Sequence, residues 1–413
     1  MTIGRFDSAN KGVPFTHRDL SGWNLFADDA TFPAAVLLES ALKRNSASMS
    51  DYCRRNGVSL APHGKTTMSP ELFALQLRDG AWAITAANVH QARVMGDSGV
   101  PRVLIANEVT APGDIAWLAT QVDADFPIVC YVDSVAGVNL LQEGLARHGV
   151  TGRLGVLIEL GVLRGRTGAR SVEQALLVAR AAAASPVLRV AGVSAFEGII
   201  GPADGVSAEA RVDAFLSQLA ALAESIIDEG LAMEGDDFVV SAGGSVFFDR
   251  VVAILKQVRS PMPVRVVVRS GCYLSHDDGV IDELSPLGAK PRVDGDVLRS
   301  ALEVWAPVLS RPEPTRLIVG AGKRDVSTDG LFPVAKKWVR RNTRDVRAFD
   351  ARPRAVKVDD QHAYLDVDPA CDVAVGDQVG LGISHPCTTF DKWRVIWVVD
   401  DAYDVVDAVT TRF

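Results

Sequence analysis

The sequence has little of what marks secreted, membrane or nucleic-acid-binding proteins. No apolar run approaches the roughly 20 residues that a membrane-spanning helix needs, and the first residues lack the basic-then-apolar layout of a secretory signal. The net charge is −8, without a basic cluster, which argues against nucleic acid or an anionic membrane surface as a partner. The few cysteines predict no disulfide framework because they are widely separated; they are Cys53, Cys130, Cys272, Cys371 and Cys387. Together these absences predict a cytoplasmic protein.

The composition is that of a large globular protein. Of the 413 residues, 48% are hydrophobic and 23% are charged, which is an ordinary balance for a soluble chain with a sizeable core. A chain of this length predicts two domains, or one barrel with a substantial addition.

Apolar strand runs alternate with helical patterns over the first two thirds of the chain. Residues 33–56 have apolar side chains at helical spacing and predict a helix that ends at Gly57. The predicted strands that follow are 58–61, 81–85, 102–106, 128–132, 154–158, 188–195, 238–241 and 264–269. The amphipathic stretches between them include 89–98, 136–148, 172–184 and 208–229.

This alternation predicts an α/β fold with a parallel sheet. Eight strand–helix repeats suit a closed (β/α)8 barrel of the TIM type over residues 31–284. An open doubly wound sheet is the alternative, which is disfavoured because no Gly-x-Gly-x-x-Gly turn follows the first strand.

The pattern changes after about Leu284. Short strand runs separated by Gly, Pro and Asp predict a separate, C-terminal all-β domain over residues 285–413. The predicted strands of this domain are 302–309, 315–319, 355–358, 363–368, 378–381 and 393–399. Residues 1–30 are an N-terminal segment too short to fold alone, and we expect it to pack with one of the two bodies.

Lys65 follows the first predicted barrel strand, in the stretch Pro62-His63-Gly64-Lys65-Thr66. A lysine at the carboxyl end of a barrel strand points into the mouth of the barrel, where its amine could hold a carbonyl cofactor such as pyridoxal phosphate as a Schiff base. The alternative is an ordinary solvated lysine. His63 would share the face of Lys65 on an extended segment, where it could tune the amine or relay protons, or it could be purely structural.

Two glycine-containing loops follow the predicted seventh and eighth strands, where barrels of this kind often bind a phosphate. They are Ser241-Ala242-Gly243-Gly244-Ser245 and Ser270-Gly271-Cys272-Tyr273. Glycines let N–H groups approach phosphate oxygens, Ser245 opens a helix whose positive end favours an anion, and Tyr273 could add a hydroxyl. Ordinary turn glycines are the alternative. Arg166, after the fifth strand, could contact a cofactor hydroxyl or a substrate carboxylate, or form a structural ion pair.

A pair of potential metal ligands lies near the carboxyl terminus, in the stretch Ser384-His385-Pro386-Cys387-Thr388. On an extended chain His385 and Cys387 share one face and can both reach one ion. Imidazole with thiolate favours Zn²⁺ over Mg²⁺ or Mn²⁺, and two ligands leave open positions for water or substrate. The spacing alone is not specific. His362 is another imidazole of this domain that could reach the mouth of the barrel.

These segments, in this order, resemble the D-threonine aldolase and D-serine dehydratase family of alanine-racemase-fold (fold-type III) pyridoxal phosphate enzymes. The resemblance covers nearly the whole chain. It depends on the lysine stretch, both glycine loops, the His-x-Cys stretch and four further segments; these are Ile105-Ala106-Asn107-Glu108, Val132-Asp133-Ser134, Arg166-Thr167-Gly168 and Val375-Gly376-Asp377.

The resemblance implies a role for each candidate. Lys65 would hold the cofactor and remove the Cα proton; the phosphate would be held by Gly243, Gly244, Ser245, Gly271, Cys272 and Tyr273. His385 and Cys387 would bind the metal beside the substrate β-hydroxyl. The resemblance also implies a homodimer. Family aldolases tend to have an aspartate in place of Cys387, so the thiolate favours zinc and the dehydratase branch. Phe196 stands where relatives often have a tyrosine, which leaves the substrate open.

The predicted activity is therefore a pyridoxal phosphate- and zinc-dependent dehydratase acting on a D-β-hydroxy amino acid such as D-serine. The nearest alternative uses the same residues for retro-aldol cleavage to glycine and an aldehyde. A non-catalytic pyridoxal phosphate carrier is a third alternative, which the C-terminal domain argues against because such carriers are typically single barrels.

Overall fold

The structure, a computed structural model, describes residues 9–14, 22–232 and 237–413. The chain divides into two compact units. The barrel unit comprises Ser50–Lys65 and Phe73–Gly271, and the sheet unit comprises Thr66–Leu72, Cys272–Phe413 and the described part of Met1–Met49.

The strands are β1 (Ala34–Leu38), β2 (Ser59–Leu60), β3 (Ile84–Ala86), β4 (Val103–Glu108), β5 (Ile128–Val132), β6 (Leu154–Leu160), β7 (Leu188–Ala195), β8 (Phe238–Ala242), β9 (Val264–Val268), β10 (Leu302–Glu313), β11 (Arg316–Val319), β12 (Val334–Val339), β13 (Val346–Ala348), β14 (Ala355–Val358), β15 (Ala363–Asp366), β16 (Gln378–Gly382), β17 (Val395–Val399) and β18 (Val405–Thr410). The helices are α1 (Glu39–Asn56), α2 (Pro70–Arg78), α3 (Val89–Asp97), α4 (Pro112–Asp123), α5 (Val135–Arg147), α6 (Val172–Ala183), α7 (Ala208–Asp228), α8 (Phe248–Leu255), α9 (Val280–Leu284) and α10 (Cys387–Phe390). A short 3-10 turn covers Gly64–Thr66.

The barrel unit contains an eight-stranded, all-parallel sheet in the order β2-β9-β8-β7-β6-β5-β4-β3. Helices α3, α5, α6 and α7 each begin at an Asn or Ser whose side chain accepts a hydrogen bond from the first turn, which satisfies a backbone N–H group that has no partner within the helix. Gly192 in β7 must be glycine, because a Cβ there would lie 1.9 Å from the carbonyl oxygen of Val239 in β8.

The two ends of this sheet meet, which closes the barrel. The Trp82 N–H donates to the Leu60 carbonyl and the Thr85 N–H donates to the Pro62 carbonyl, both at 2.8 Å. One residue from each strand or its immediate flank packs into a common buried core, as expected for a filled (β/α)8 barrel; these residues are Ala61, Ala83, Leu104, Tyr131, Leu157, Ala191, Val239 and Val267. The predicted TIM-type barrel is confirmed, and the open doubly wound alternative is wrong.

The sheet unit contains the predicted C-terminal strands. Its main sheet has the order β13-β12-β16-β10-β1-β17-β18, and β11, β15 and β14 extend it from β10. Strand β1 lies in the middle, antiparallel to β10 and parallel to β17. The predicted fold class, a barrel with a second, strand-rich domain, is confirmed.

One predicted element is wrong in its first part. Residues 33–56 were expected to form a single helix, but Ala34–Leu38 is the strand β1 and the helix α1 starts only at Glu39. All five residues of β1 are buried, and a short run that is apolar at every position has no period that separates a buried strand from a buried helix. Strands β12, β13 and β18 were not predicted.

The predicted domain ranges 1–30, 31–284 and 285–413 stay predictions. Within the N-terminal range, residues 1–8 and 15–21 lie outside the described residues. The described part of that range contacts the sheet unit: the Lys11 amine lies 2.8 Å from Asp325 Oδ1, and the Asn24 side-chain amide donates to Asp404 at 2.9 Å. Among the helices that the structure describes, none is both long and apolar enough to cross a membrane.

Candidate active site

Lys65 lies in the 3-10 turn directly after β2, at the carboxyl end of that strand. Side chains pack closely around Gly64, where a Cβ would lie 2.7 Å from Ile84 Cγ2 and 2.9 Å from Phe73 Cε1. Among the described residues, the Lys65 amine has no hydrogen-bond or ion-pair partner. The structure therefore places a free amine where the sequence predicts it.

His63 precedes this turn and forms a bridge with Thr85 of β3. Its Nδ1 atom is buried and has no hydrogen-bond partner among the described residues. Burial, and then the positive charges of Lys65, Arg269 and Arg166, lower the pKa of His63 well below its usual value. The imidazole is therefore neutral at pH 7 and is a weaker base than an ordinary histidine. The expected extended segment between His63 and Lys65 is instead a turn, but the two side chains still interact.

Arg269, which the sequence did not single out, is a buried cation of the barrel interior. It follows β9, is only 2% exposed, and donates to the hydroxyl groups of Ser194 and Ser241 and to the Ala195 carbonyl at 3.1, 2.5 and 2.7 Å. Its Nε atom is buried without a partner among the described residues. Ser241, a predicted cofactor contact, is fully buried, and its hydroxyl group is already committed to Arg269.

The two predicted phosphate loops differ in what they still offer. The Gly243 and Gly244 N–H groups donate to the carboxylate of Glu197 at 2.9 and 2.8 Å. Those two donors are therefore occupied unless Glu197 turns away. The N–H groups of Ser245 and Gly271 have no acceptor among the described residues. Ser245 does not open a helix as expected, because α8 begins only at Phe248. Phosphate binding by these loops stays a prediction, which the N–H groups of Ser245 and Gly271 support more strongly than those of the paired glycines do.

Arg166 lies over the ring of Phe196, with its guanidinium carbon 4.6 Å from the ring centroid. The ring replaces the tyrosine that the resemblance suggested at this position, and it provides a face for the guanidinium. A cavity of about 690 Å³ opens beside Arg166, between the loops after β6 and β7 and the start of α7. No carboxylate lines it, and its four arginines give it a positive charge; they are Arg164, Arg166, Arg170 and Arg211.

Three carboxyl groups converge where β4, β5 and β6 end. Oxygen atoms of Glu108, Asp133 and Glu159 all lie within 4.8 Å of one another, and no other His, Cys, Asp or Glu triad in the described part of the chain is as close. Burial, and then the charge of Glu159, raise the pKa of Glu108 to about 8, and burial raises the pKa of Glu159. The Glu108 carboxyl group is therefore protonated at neutral pH. Glu108 and Asp133 lie in two of the segments on which the resemblance depends, but the sequence does not indicate that they contact each other.

The retained proton makes barrel stability depend on pH. The folded pKa of Glu108 lies above its ordinary value of 4.5, so the folded state binds this proton more tightly than the unfolded state does. Its contribution is complete below pH 4.5 and is lost as the pH rises towards 8. Between pH 5 and pH 8.5 the unfolding free energy of the wild type should fall by about 2 kcal/mol more than that of Glu108→Gln, a value reduced to allow for the partial exposure of the carboxyl group. Urea unfolding from pH 5 to pH 8.5 measures this difference, and the substitution Glu143→Gln at an exposed site is the control. The same slope of unfolding free energy against pH in the wild type and in Glu108→Gln would contradict the prediction.

In the sheet unit, His385 and Cys387 come together as predicted, but by a different geometry. Pro386 has helical dihedral angles, φ −63° and ψ −34°, and Cys387 is the first residue of α10, so the segment is a turn and not the expected extended chain. Hydrogen bonding with Cys387 raises the pKa of His385 to about 9. His385 Nδ1 also lies 2.8 Å from Asp329 Oδ2. A carboxylate on one imidazole nitrogen orients the other towards a metal.

Asp329 was not found from the sequence because it lies 56 residues before His385 and in no recognisable motif. Although burial opposes it, hydrogen bonds from Ser327, Thr388 and His385 lower the pKa of Asp329 to about 2. The carboxylate is therefore ionised throughout the physiological range and can orient the imidazole. By contrast, the side chain of His362 is exposed in the loop before β15.

Cys272 and Tyr273 begin the last segment of the sheet unit, and both are buried. The Cys272 sulfur lies 3.4 Å from the Cys387 sulfur. The hydroxyl oxygen of Thr66 lies 3.3 Å from Cys387 Sγ and 3.9 Å from Cys272 Sγ. Hydrogen bonding between the two sulfur atoms raises the pKa of Cys272 and lowers the pKa of Cys387. Cys272 was predicted to hold phosphate, a role that its N–H group could still have; the contact of its thiol with Cys387 was not foreseen.

The chain is similar to proteins named as aldolases and dehydratases of D-hydroxy amino acids. Residues 301–399 match the family described as "Putative serine dehydratase domain". A 3-hydroxy-D-aspartate aldolase of Paracoccus denitrificans (strain Pd 1222) is 27% identical over 83% of this chain and 86% of its own length. A crystal structure of D-threonine aldolase from Filomicrobium marinum aligns with a TM-score of 0.76 and 25% identity, covering 93% of this chain and 95% of that one.

A dehydratase has the same fold. The structure of D-threo-3-hydroxyaspartate dehydratase from Delftia sp. HT23 aligns with a TM-score of 0.73 over 94% of this chain and 99% of that one. At 20% identity this likeness concerns the fold alone. The comparisons therefore confirm the predicted resemblance to the D-threonine aldolase and D-serine dehydratase family of alanine-racemase-fold enzymes.

Proposed function

We propose that this enzyme is a pyridoxal phosphate- and zinc-dependent dehydratase that converts a D-β-hydroxy amino acid to a keto acid and ammonia. Its relatives are aldolases and dehydratases of D-hydroxy amino acids. The observation that carries the proposal is the unpartnered Lys65 amine at the mouth of the barrel, beside the neutral imidazole of His63. D-Serine is the simplest substrate of this class.

The barrel residues fit pyridoxal phosphate. An amine without a partner can bind the aldehyde, and the free N–H groups of Ser245 and Gly271 are suited to phosphate oxygens. The buried, unpartnered atoms Nδ1 of His63 and Nε of Arg269 are polar groups for which a bound cofactor would provide a partner, because such groups are costly when left unsatisfied.

The residues of the sheet unit fit zinc. Thiolate and imidazole are the ligands that Zn²⁺ prefers, and the pair His385 and Cys387 supplies one of each. Hydrogen bonding from Cys272, and then from His385, already lowers the pKa of Cys387, which favours the thiolate that a metal requires. Asp329 on Nδ1 of His385 leaves the Nε2 atom for the ion.

Each group would have a distinct task in the reaction. When bound, pyridoxal phosphate supplies an electron sink for charge at Cα, and zinc supplies a Lewis acid for the β-hydroxyl group. The Lys65 amine takes the Cα proton as general base, and the neutral imidazole of His63 adds no positive charge beside it. Arg269 is held by three hydrogen bonds and presents a fixed positive charge inside the barrel.

Retro-aldol cleavage is the second candidate, because the 27% identical relative is an aldolase. It uses the same residues but breaks the Cα–Cβ bond, giving glycine and an aldehyde. Cys387 favours the dehydratase, since the resemblance suggests aspartate at this position in aldolases. The arginine-lined cavity beside Arg166 favours substrates with a second carboxylate over D-serine itself.

A product panel decides between the two reactions. We expect D-serine to give pyruvate and ammonia, D-threonine to give 2-oxobutyrate, and D-3-hydroxyaspartate to react with the highest kcat/KM because its extra carboxylate can meet arginine. L-enantiomers are the matched controls and should be inert. Acetaldehyde and glycine from D-threonine would establish the aldolase instead, and no product from any D-hydroxy amino acid would contradict both. The homodimer and the cytoplasmic location stay predictions.

A further inference from the structure

In the sheet unit, the thiol of Cys272 contacts one member of the proposed metal-binding pair His385 and Cys387. Cys272 Sγ lies 3.4 Å from Cys387 Sγ, although the two residues are 115 positions apart in the chain. The Cys272 side chain is buried, and its sulfur and that of Cys387 face the same hydroxyl group of Thr66.

The separation of the two sulfur atoms suits a shared ion. Zinc–sulfur bonds are about 2.3 Å long, so two thiolates on one tetrahedral zinc lie roughly 3.8 Å apart. The observed 3.4 Å needs only a small adjustment to reach that value. Cys387 contacts Cys272 and interacts with His385. The donor atoms of the three residues do not all lie within 4.8 Å of one another, so the imidazole must turn for all three to share one ion.

We propose that Cys272 is a third protein ligand of the metal that His385 and Cys387 hold, an inference that rests on the zinc dependence proposed above. Catalytic zinc sites commonly have three protein ligands and one open position, and two cysteines with one histidine is a known set. Two thiolates and a neutral imidazole balance the charge of Zn²⁺, whereas one thiolate would leave a net positive charge in a largely buried place.

This assignment explains why a cysteine follows Gly271. A phosphate loop needs only an N–H group from the residue after the glycine, and every residue type except proline supplies it. Phosphate binding does not require a thiol at position 272 that contacts Cys387. Metal binding through this side chain does require it. Position 272 would thus serve two groups at once, the phosphate through its N–H and the metal through its sulfur.

The zinc K-edge absorption fine structure of the holoenzyme tests this, because it counts sulfur ligands without interference from the cofactor. We expect two sulfur atoms at about 2.3 Å in the wild-type protein, one in Cys272→Ala and in Cys272→Ser, and two in the control Cys371→Ala. Zinc affinity, from competition with a chromophoric chelator, should fall by about 100-fold or more in both Cys272 variants, since loss of an outer-sphere partner alone commonly costs 10- to 100-fold.

The outcomes separate this inference from the proposed function. One sulfur in the wild-type protein, or an unchanged count and affinity in Cys272→Ala, overturns the ligand role of Cys272 but leaves zinc on His385 and Cys387. A disulfide between Cys272 and Cys387 in the zinc-loaded wild-type protein, seen as two fewer free thiols when it is denatured without reductant, also overturns it. Zinc retained unchanged in His385→Ala and Cys387→Ala, or absent from the wild type, contradicts the proposed metal site itself.

Discussion

Lys65→Ala is expected to lower kcat by about 10⁴-fold or more, because the variant loses both the group that holds the cofactor and the general base. The lysine amine has no competing partner among the described residues, so its removal leaves the surrounding hydrogen bonds intact and should cost little stability. The variant should also lack a covalent pyridoxyl label. Borohydride reduction followed by peptide mapping detects that label on residue 65 of the wild-type enzyme.

The control for this substitution is Lys256→Ala. Lys256 is exposed at the C-terminal end of α8 in the same unit, so its loss removes one positive charge without touching the barrel mouth. It should retain full activity and the label. A label that persists in Lys65→Ala, or that maps to another lysine in the wild-type enzyme, would refute the role of Lys65.

His385→Ala and Cys387→Ala are each expected to lower kcat by about 10³-fold, while the visible absorption of the bound cofactor remains. A Lewis acid on a leaving hydroxyl group is worth several kcal/mol, and about 4 kcal/mol corresponds to a factor of 10³. The cofactor should stay because the predicted phosphate and lysine contacts belong to other residues. Dialysis against a chelator should reproduce the loss in the wild-type enzyme, and added Zn²⁺ should reverse it there but not in the variants.

His362→Ala is the matched control, because its imidazole belongs to the same sheet unit but is exposed. It should retain both zinc and activity. If His385→Ala and Cys387→Ala kept normal turnover, the metal would have no part in the chemistry and a metal-independent lyase would remain.

The barrel was predictable because its strands carry strong local signals. Strands β5 and β7 begin and end where the apolar runs do, Ile128–Val132 and Leu188–Ala195. A strand that is covered on both faces is apolar throughout, and the helices between such strands show the 3.6-residue period. The prediction for β1 was wrong for a related reason. A short, fully buried strand directly before a helix shows no change of periodicity that would mark where the helix begins.

The residues of the candidate site were predictable only where they lie in a short, recognisable sequence stretch. Lys65 and the pair His385 and Cys387 stand in recognisable short stretches, so sequence could name them. Arg269 and Glu197 could not be assigned in this way, because their importance lies in which atoms they reach: Arg269 fixes Ser241, and Glu197 occupies the N–H groups of the paired glycines.

The side chains that shift the pKa values of the site residues are brought together by contacts between residues distant in sequence. Glu108, Asp133 and Glu159 end three neighbouring strands and meet only when the barrel closes. Asp329 meets His385 across 56 residues, and Cys272 meets Cys387 across 115. One sequence without relatives carries no signal for such pairs.

The central position of β1 has a consequence for biosynthesis. Its residues Ala34–Leu38 are buried on both faces and pair with β10 at Leu302–Glu313 and β17 at Val395–Val399. The ribosome makes this strand early and its neighbours late. At 5–20 residues per second, a gap of roughly 260 residues leaves the strand without a partner for about 15–50 s. During that time a nascent, fully apolar segment must be shielded from aggregation, so chaperone supply should govern the yield of folded enzyme.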